Sequence, residues 1–253
     1  MKLTFLGTGT SFGVPHVNCK CEVCQSTNER DNRLRSSVKI ETERGNVIII
    51  DCGPDFRQQM LKFHTPHIDA VLITHEHYDH VGGMDDLRPF SKDMLLNVYA
   101  QSRACQNIKV RIPYCFVDKK YPGVPNLILN EISSFPFKIK GDIITPIRVM
   151  HGTMTILGYR IGNMAYLTDV SFIPDSEFEK LKNLDTLIIS ALRILPHHSH
   201  QTLEQALAVT KRIAPKKSTY LIHCDHALGR YEDVQPKLPE NVFLSYDGLI
   251  IDC

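Results

Sequence analysis

The chain has 253 residues, 43% of them hydrophobic, which is enough to bury a full core and leads us to expect a single domain over residues 1–253. Its 29 Lys and Arg against 28 Asp and Glu leave a net charge of +1, interleaved along the chain, which excludes the extended basic face of a non-specific nucleic-acid binder. MKLTFLGTGTSFG carries too short an apolar run for a secretory leader and no stretch approaches a membrane span, so a cytoplasmic protein with reduced cysteines and no membrane partner is expected.

KLTFL (2–6) reads as the first strand and runs into GTGTS (7–11). That run lacks the Lys-Ser/Thr of a phosphate-binding loop, so its glycines are expected to turn the backbone. NCKCEVCQS then sets Cys19, Cys21 and Cys24 within six residues, a spacing that suits metal ligands better than bridged loops. Zinc sites rich in sulfur take four ligands, and the fourth is not in this segment. His16 in VPHVNC and the distant Cys224 are candidates for it. A redox reading of Cys21 and Cys24 lacks a thioredoxin-like βαβ context.

SSVKIET (36–42) and VIIID (47–51) continue the strands, and Pro54 to Phe63 reads as a helix with Pro54 in its first position and Phe56, Met60 and Phe63 on one face. After the strand AVLIT (70–74), HEHYDHVGG supplies His75, His77, Asp79 and His80, with Gly82 and Gly83 expected to let the backbone turn. Imidazole and carboxylate at this density suit zinc, iron or manganese, and at a strand end they can converge on two ions. MDDLRPF adds Asp85, Asp86 and Arg88, read mainly as charges opening a helix. Residues 95–136 have mixed periodicity and yield no element. DIITPIRVM (142–150), AYLTD (165–169), TLIIS (186–190), STYLI (218–222), VFLSY (242–246) and LIID (249–252) read as strands. A weak helical pattern covers Ser176 to Lys182, and a firmer one covers Thr202 to Ile213, with Leu203, Ala206, Leu207 and Thr210 on one face. Helices this infrequent do not make a doubly wound sheet, and a layered α/β sandwich is expected. His151, Asp169 and His223 each follow one of these strands.

HxHxDH followed by a lone His, a lone Asp and a final His, each after a strand, resembles the metallo-β-lactamase-fold hydrolases over nearly the whole chain. The resemblance implies an α/β fold of the αββα four-layer sandwich type with mixed β-sheets and a dinuclear centre at one edge. His75, His77 and His151 would hold one ion, Asp79, His80 and His223 the other, and Asp169 would bridge them. IIIDCGPD matches an early motif of the fold, which implies that Asp51 orders the loops beneath the centre. The residue also reads simply as a strand-end cap. Secreted β-lactamases of this fold replace the bridging Asp by Cys, and flavodiiron members carry Glu at the second ligand position. Asp169 and His77 match neither, so hydrolysis of another bond is implied.

PHHSHQTLEQAL, between the Asp169 and His223 strands, resembles the branch that includes ribonuclease Z and the PhnP-type cyclic phosphodiesterases. The match implies that His200 reaches into the site, with His197 a weaker candidate and His198 facing solvent. Ribonuclease Z carries a protruding arm in its second half, and no Gly/Pro-rich insertion is found here, so a smaller substrate is implied. PhnP-type proteins also carry CxCxxC together with a His three positions after the last catalytic ligand. Here that is His226, which would complete a structural zinc site with Cys19, Cys21 and Cys24. The implied activity is hydrolysis of a small or cyclic (ribose) phosphodiester, with Asp79 and His200 as catalytic groups. It would use two divalent ions, zinc or manganese with iron also compatible, beside one structural zinc. Ribonuclease Z-like RNA processing, a thioesterase or lactonase, and a non-catalytic metal-binding accessory protein are the competing readings, and a homodimer is left open.

Overall fold

Runs such as VIII and TLIIS are apolar at successive positions, apart from the Thr and Ser that end the second, which suits strands covered on both faces. In the computed structural model, which describes residues 1–92 and 94–253, every residue of both runs is buried. The first sheet holds β1 (Lys2–Gly7), β2 (Ser37–Glu41), β3 (Val47–Ile50), β4 (Ala70–Leu72), β5 (Leu96–Ala100) and β6 (Leu127–Glu131) in that order. The second runs in chain order through β7 (Phe137–Ile139), β8 (Asp142–His151), β9 (Met154–Ile161), β10 (Met164–Leu167), β11 (Thr186–Ser190), β12 (Ser218–Ile222) and β13 (Val242–Leu244). A final strand, β14 (Ile250–Asp252), returns to pair antiparallel with β1, so each sheet has seven strands. In both, antiparallel pairing gives way to parallel pairing part-way across, at β3 with β4 and at β10 with β11.

Three cores separate four layers. Between the sheets, Leu3, Phe5 and Ile50 meet Leu157, Tyr159 and Ile188. On the outer face of the first sheet, Ile49, Val71 and Val98 are covered by α1 (Phe56–Phe63), α2 (Tyr78–Val81) and α3 (Ser102–Arg111) through Phe56, Val81, Ala104 and Ile108. On the outer face of the second, Val149, Ile189 and Leu221 pack with Ala206 of α4 (Leu203–Ile213). This is the αββα sandwich with mixed sheets.

Several local expectations are revised. Pro54 lies before the helix it was expected to open, because α1 starts at Phe56. Asp55, at the cap position, instead accepts from Arg35 N at 2.8 Å and pairs with its guanidinium at 3.0 Å. The pattern over Ser176–Lys182 forms a 3-10 helix, Asp175–Leu181. The stretch 95–136, read as featureless, contains β5, α3 and β6; α3 buries only Ala104, Cys105 and Ile108, so its apolar period is short. The strand β9 escapes the pattern because Gly158 and Arg160 interrupt its β-branched run. At α4 the expectation holds closely: Thr202 caps the helix through Gln205 N, and Gln205 returns a bond to Thr202 N, a capping box that fixes the chain just after His200.

Candidate metal centres

Most of the chemistry stands at the carboxyl ends of the strands, where open α/β sheets place their sites. Asp51 follows β3, His75 follows β4 by three positions, His151 ends β8, Asp169 follows β10 by two positions and His223 follows β12. Asp51, Asp169 and His223 have φ of 64°, 55° and 57°. Left-handed backbone in such residues costs about 1–3 kcal/mol each and persists where the surroundings fix it. Here it turns each strand end sharply, so that the side chain faces the centre.

Asp79 and His80 come from the short α2, which is pinned against the Asp51 loop. Cys52 N donates to His80 O at 2.8 Å, and Gly83 N donates to Cys52 O at 2.9 Å. The glycines serve close approach rather than turning. Gly82 and Gly83 have ordinary φ of −65° and −98°, but a Cβ on Gly83 would come within 2.1 Å of Gly53 O, and one on Gly53 within 2.0 Å of Asp79 O.

Two ligand groups result. The donor atoms of His75, His77 and His151 lie within 4.8 Å of one another, as do those of Asp79, His80, Asp169 and His223. Asp169 faces both groups: Oδ2 is 3.9 Å from His75 Nε2, while Oδ1 is 3.4 Å from His80 Nε2 and 3.2 Å from His223 Nε2. Asp79 Oδ2 lies 3.1 Å from His80 Nε2 and 3.7 Å from His223 Nε2.

Neighbouring oxygens set the histidine tautomers. His80 Nδ1 donates to Asp51 Oδ2 at 2.7 Å, and His151 Nδ1 donates to Ser199 O at 2.9 Å. Thr74 Oγ1 lies 2.9 Å from Asp51 Oδ2 and donates to that carboxylate, so it accepts from His75 Nδ1 at 3.0 Å. Each of these rings is thereby left with a bare Nε2. His80 Nε2 and His223 Nε2 are buried without a hydrogen-bond partner. Burial opposes charge on His80, yet the carboxylates of Asp79, Asp169 and Asp51 outweigh it and hold its proton affinity well above the imidazole range. Positive charge is thus favoured among these lone pairs and carboxylates, and the nitrogen and oxygen donor set fits divalent zinc, manganese or iron.

Asp51 therefore does more than end a strand. Asp51→Ala should leave His80 Nδ1 without its acceptor and weaken metal binding by about 10- to 100-fold. Metal titration checks this, and unchanged affinity would reduce Asp51 to a cap.

The second cluster joins distant parts of the chain. Cys19, Cys21 and Cys24 Sγ lie 3.3, 3.3 and 3.2 Å from His226 Nδ1. Three thiols around one imidazole nitrogen fit a closed structural zinc site. Burial works against charge on Cys21, but bonds from Cys24 N and its sulfur and imidazole neighbours bring its pKa down to about 7. The other candidates for a fourth ligand are elsewhere. Cys224 packs into the apolar core, and the His16 ring stacks on His226 with its Nε2 directed 3.3 Å from Asp225.

His200 stands over the first cluster, with a donor atom within 4.8 Å of those of His151 and Asp169. Its ring lies 5.1 Å from that of His223 and 5.0 Å from that of His197, while His198 is exposed. The charges of MDDLRPF open the 3-10 helix Met84–Phe90 and bind one another: Arg88 Nε donates to Asp85 Oδ2 at 3.0 Å, and Tyr114 donates to Asp85 at 2.8 Å. Sequence reasoning missed Thr74 and Ser199. Thr74 carries a weak signal in its place before HxHxDH, whereas Ser199 acts through a backbone carbonyl and has none.

Residues 46–224 match the family model described as a Beta-lactamase superfamily domain. A crystal structure of a new diphosphatase from the PhnP family shares 37% identity with a TM-score of 0.92, over 99% of this chain and 96% of that one. The chain belongs to the PhnP family of the β-lactamase superfamily. As a PhnP-family protein it has the metallo-β-lactamase fold. Zn(2+)-bound PqqB from Methylobacterium extorquens, 18% identical with a TM-score of 0.80 over the whole of both chains, shares the fold. An octanoyltransferase of Porphyromonas gingivalis (strain ATCC BAA-308 / W83) is 45% identical over 256 residues, all of this chain and 52% of that protein. The PhnP-family chain thus spans about half the length of that curated relative. Among the described residues, no helix is long and apolar enough to cross a membrane.

Proposed function

We propose that this protein hydrolyses a small phosphodiester, in particular a cyclic one on a ribose. The observation that carries the reading is Asp169, whose two oxygens face separate ligand groups, with His200 beside the same carboxylate. In this reading His75, His77 and His151 hold one divalent ion, Asp79, His80 and His223 hold a second, and Asp169 serves both. Bound there, the ions would supply Lewis acidity, neutralise phosphate charge and bring the pKa of water toward neutrality.

The chain's own groups do the rest. Asp79 Oδ2 provides an acceptor that orients the attacking water. Burial lowers the pKa of His200 to about 3, with Asp169 opposing and His223, His151 and His197 adding to the depression, so the ring is neutral at physiological pH. A neutral imidazole donates its N–H to a phosphoryl oxygen; the bound phosphate anion raises the proton affinity of the ring, which takes up a second proton from solvent and passes it to the leaving alkoxide, returning to the neutral form. His77 is exposed while His75, His80 and His223 are buried, so substrate approaches from the His77 side. The family relative whose name is a diphosphatase supports phosphoryl chemistry. The octanoyltransferase name belongs to a protein about twice as long, and acyl chemistry enters only as a rival.

The test is a substrate panel on zinc- and manganese-loaded protein: a generic phosphodiester, 2′,3′-cyclic nucleotides, precursor transfer RNA and an octanoyl thioester. Turnover of the two small phosphodiesters is expected. Activity on the thioester alone, or on the RNA alone, would overturn the proposal.

A further inference from the structure

The cysteine cluster engages a carboxylate that is not among the metal ligands. With its Nδ1 turned to three sulfurs, His226 carries its proton on Nε2. That nitrogen lies 3.5 Å from Asp225 Oδ1, and Oδ2 of the same carboxylate lies 3.3 Å from His16 Nε2. The His16 ring stacks on His226 with centroids 4.0 Å apart. Its backbone N–H donates to Cys24 Sγ at 3.3 Å, and its carbonyl accepts from Cys19 N at 3.1 Å. His16 thus covers the cluster with its ring and ties both ends of it with its backbone. Asp225 is itself held in place, since Oδ1 accepts from Ala227 N at 2.8 Å.

The backbone of Asp225 points the other way. Its N–H donates to Leu192 O at 2.9 Å, and Leu192 N donates to Gln201 O at 3.2 Å. The segment between Leu192 and Gln201 carries His200, and His223 lies two residues before Asp225.

We propose that Asp225 is a positioning residue shared by the two centres. Its carboxylate orients His226 and His16 around the cysteine-bound zinc, and its backbone transmits that order to the segment bearing His200. The second half rests on the role of His200 given above; the first half does not.

The two halves are tested together on the full chain. Cobalt placed in the cysteine site gives a thiolate-to-metal charge-transfer band that the histidine and carboxylate centre lacks. Its decay under a chelator therefore times release from this site alone. Asp225→Asn keeps the shape and the acceptor for Ala227 but removes the charge, and it should release metal about 10- to 100-fold faster than the unmodified protein. Asp225→Ala should be at least as fast. Phosphodiester turnover of Asp225→Asn should fall in step with the band. Release from the Asn variant at the unmodified rate would overturn the carboxylate role. Fast release with steady turnover would overturn the link to His200. If the unmodified protein hydrolyses no phosphodiester, the link falls with that reading, while the release measurement still decides the carboxylate role.

Discussion

His200→Ala should lower kcat on an alkyl phosphodiester by about 10²- to 10⁴-fold while leaving the content of the histidine and carboxylate centre unchanged. The second clause follows from geometry. His151 keeps its acceptor, Ser199 O, and Asp169, His80 and His223 keep their mutual distances, because none of these contacts passes through the His200 side chain. The first follows from position: the ring stands beside the ligand groups with its Nδ1 free of any hydrogen-bond partner, so it can bond to the phosphate and, once protonated there, serve the leaving group. Leaving-group dependence separates the two roles. A nitrophenolate departs without a proton, so general-acid catalysis predicts a small loss on that ester and the full loss on an alkoxide. A plain hydrogen bond to the phosphate predicts equal losses. Normal kcat on both esters would remove His200 from the mechanism.

His226→Ala should release one metal ion per chain from the cysteine cluster. Linkage sets the size of the stability effect: a ligand present at about a thousandfold over its Kd contributes about 4 kcal/mol. For a chain of this length that corresponds to roughly 8–16 °C in Tm. The loop will not unfold wholesale, because Val14 and Arg33 exchange backbone bonds at 2.8 and 2.7 Å and Asp31 accepts from Tyr231 N at 2.7 Å. Proteolysis should begin within residues 16–25, between these anchors. Elemental analysis and a thermal melt check the prediction, and unchanged metal content would place the fourth ligand elsewhere.

The sequence was legible where chemistry is dense or packing is two-sided. HxHxDH is dense in ligand-type side chains, and buried strands such as VIII and the LII of TLIIS are apolar at successive positions because both faces are covered. His151, Asp169 and His223 persuade only as a set, since a single polar residue after a strand is ordinary. Illegible features share another cause. β9 is broken by Gly158, and α3 needs only three buried residues because the rest of its surface meets water. Gly83 reads as a turn residue, and only the backbone of Gly53 behind it reveals that the constraint is space. Ser199 O and the Asp225 N–H act through atoms every residue possesses, so residue type carries no trace of them.

The return of β14 to β1 bears on how the protein comes off the ribosome. Residues 2–7 emerge well before the strand that covers their outer side, 250–252, which follows some two hundred and forty residues later in synthesis. Until then β1 presents a free row of amides and carbonyls to any neighbouring nascent chain, the kind of edge that templates aggregation. The cysteine segment waits almost as long for His226. A translation product halted before that point would carry both an open edge and three unclaimed thiols, which makes it a natural client for chaperones and for quality-control proteolysis.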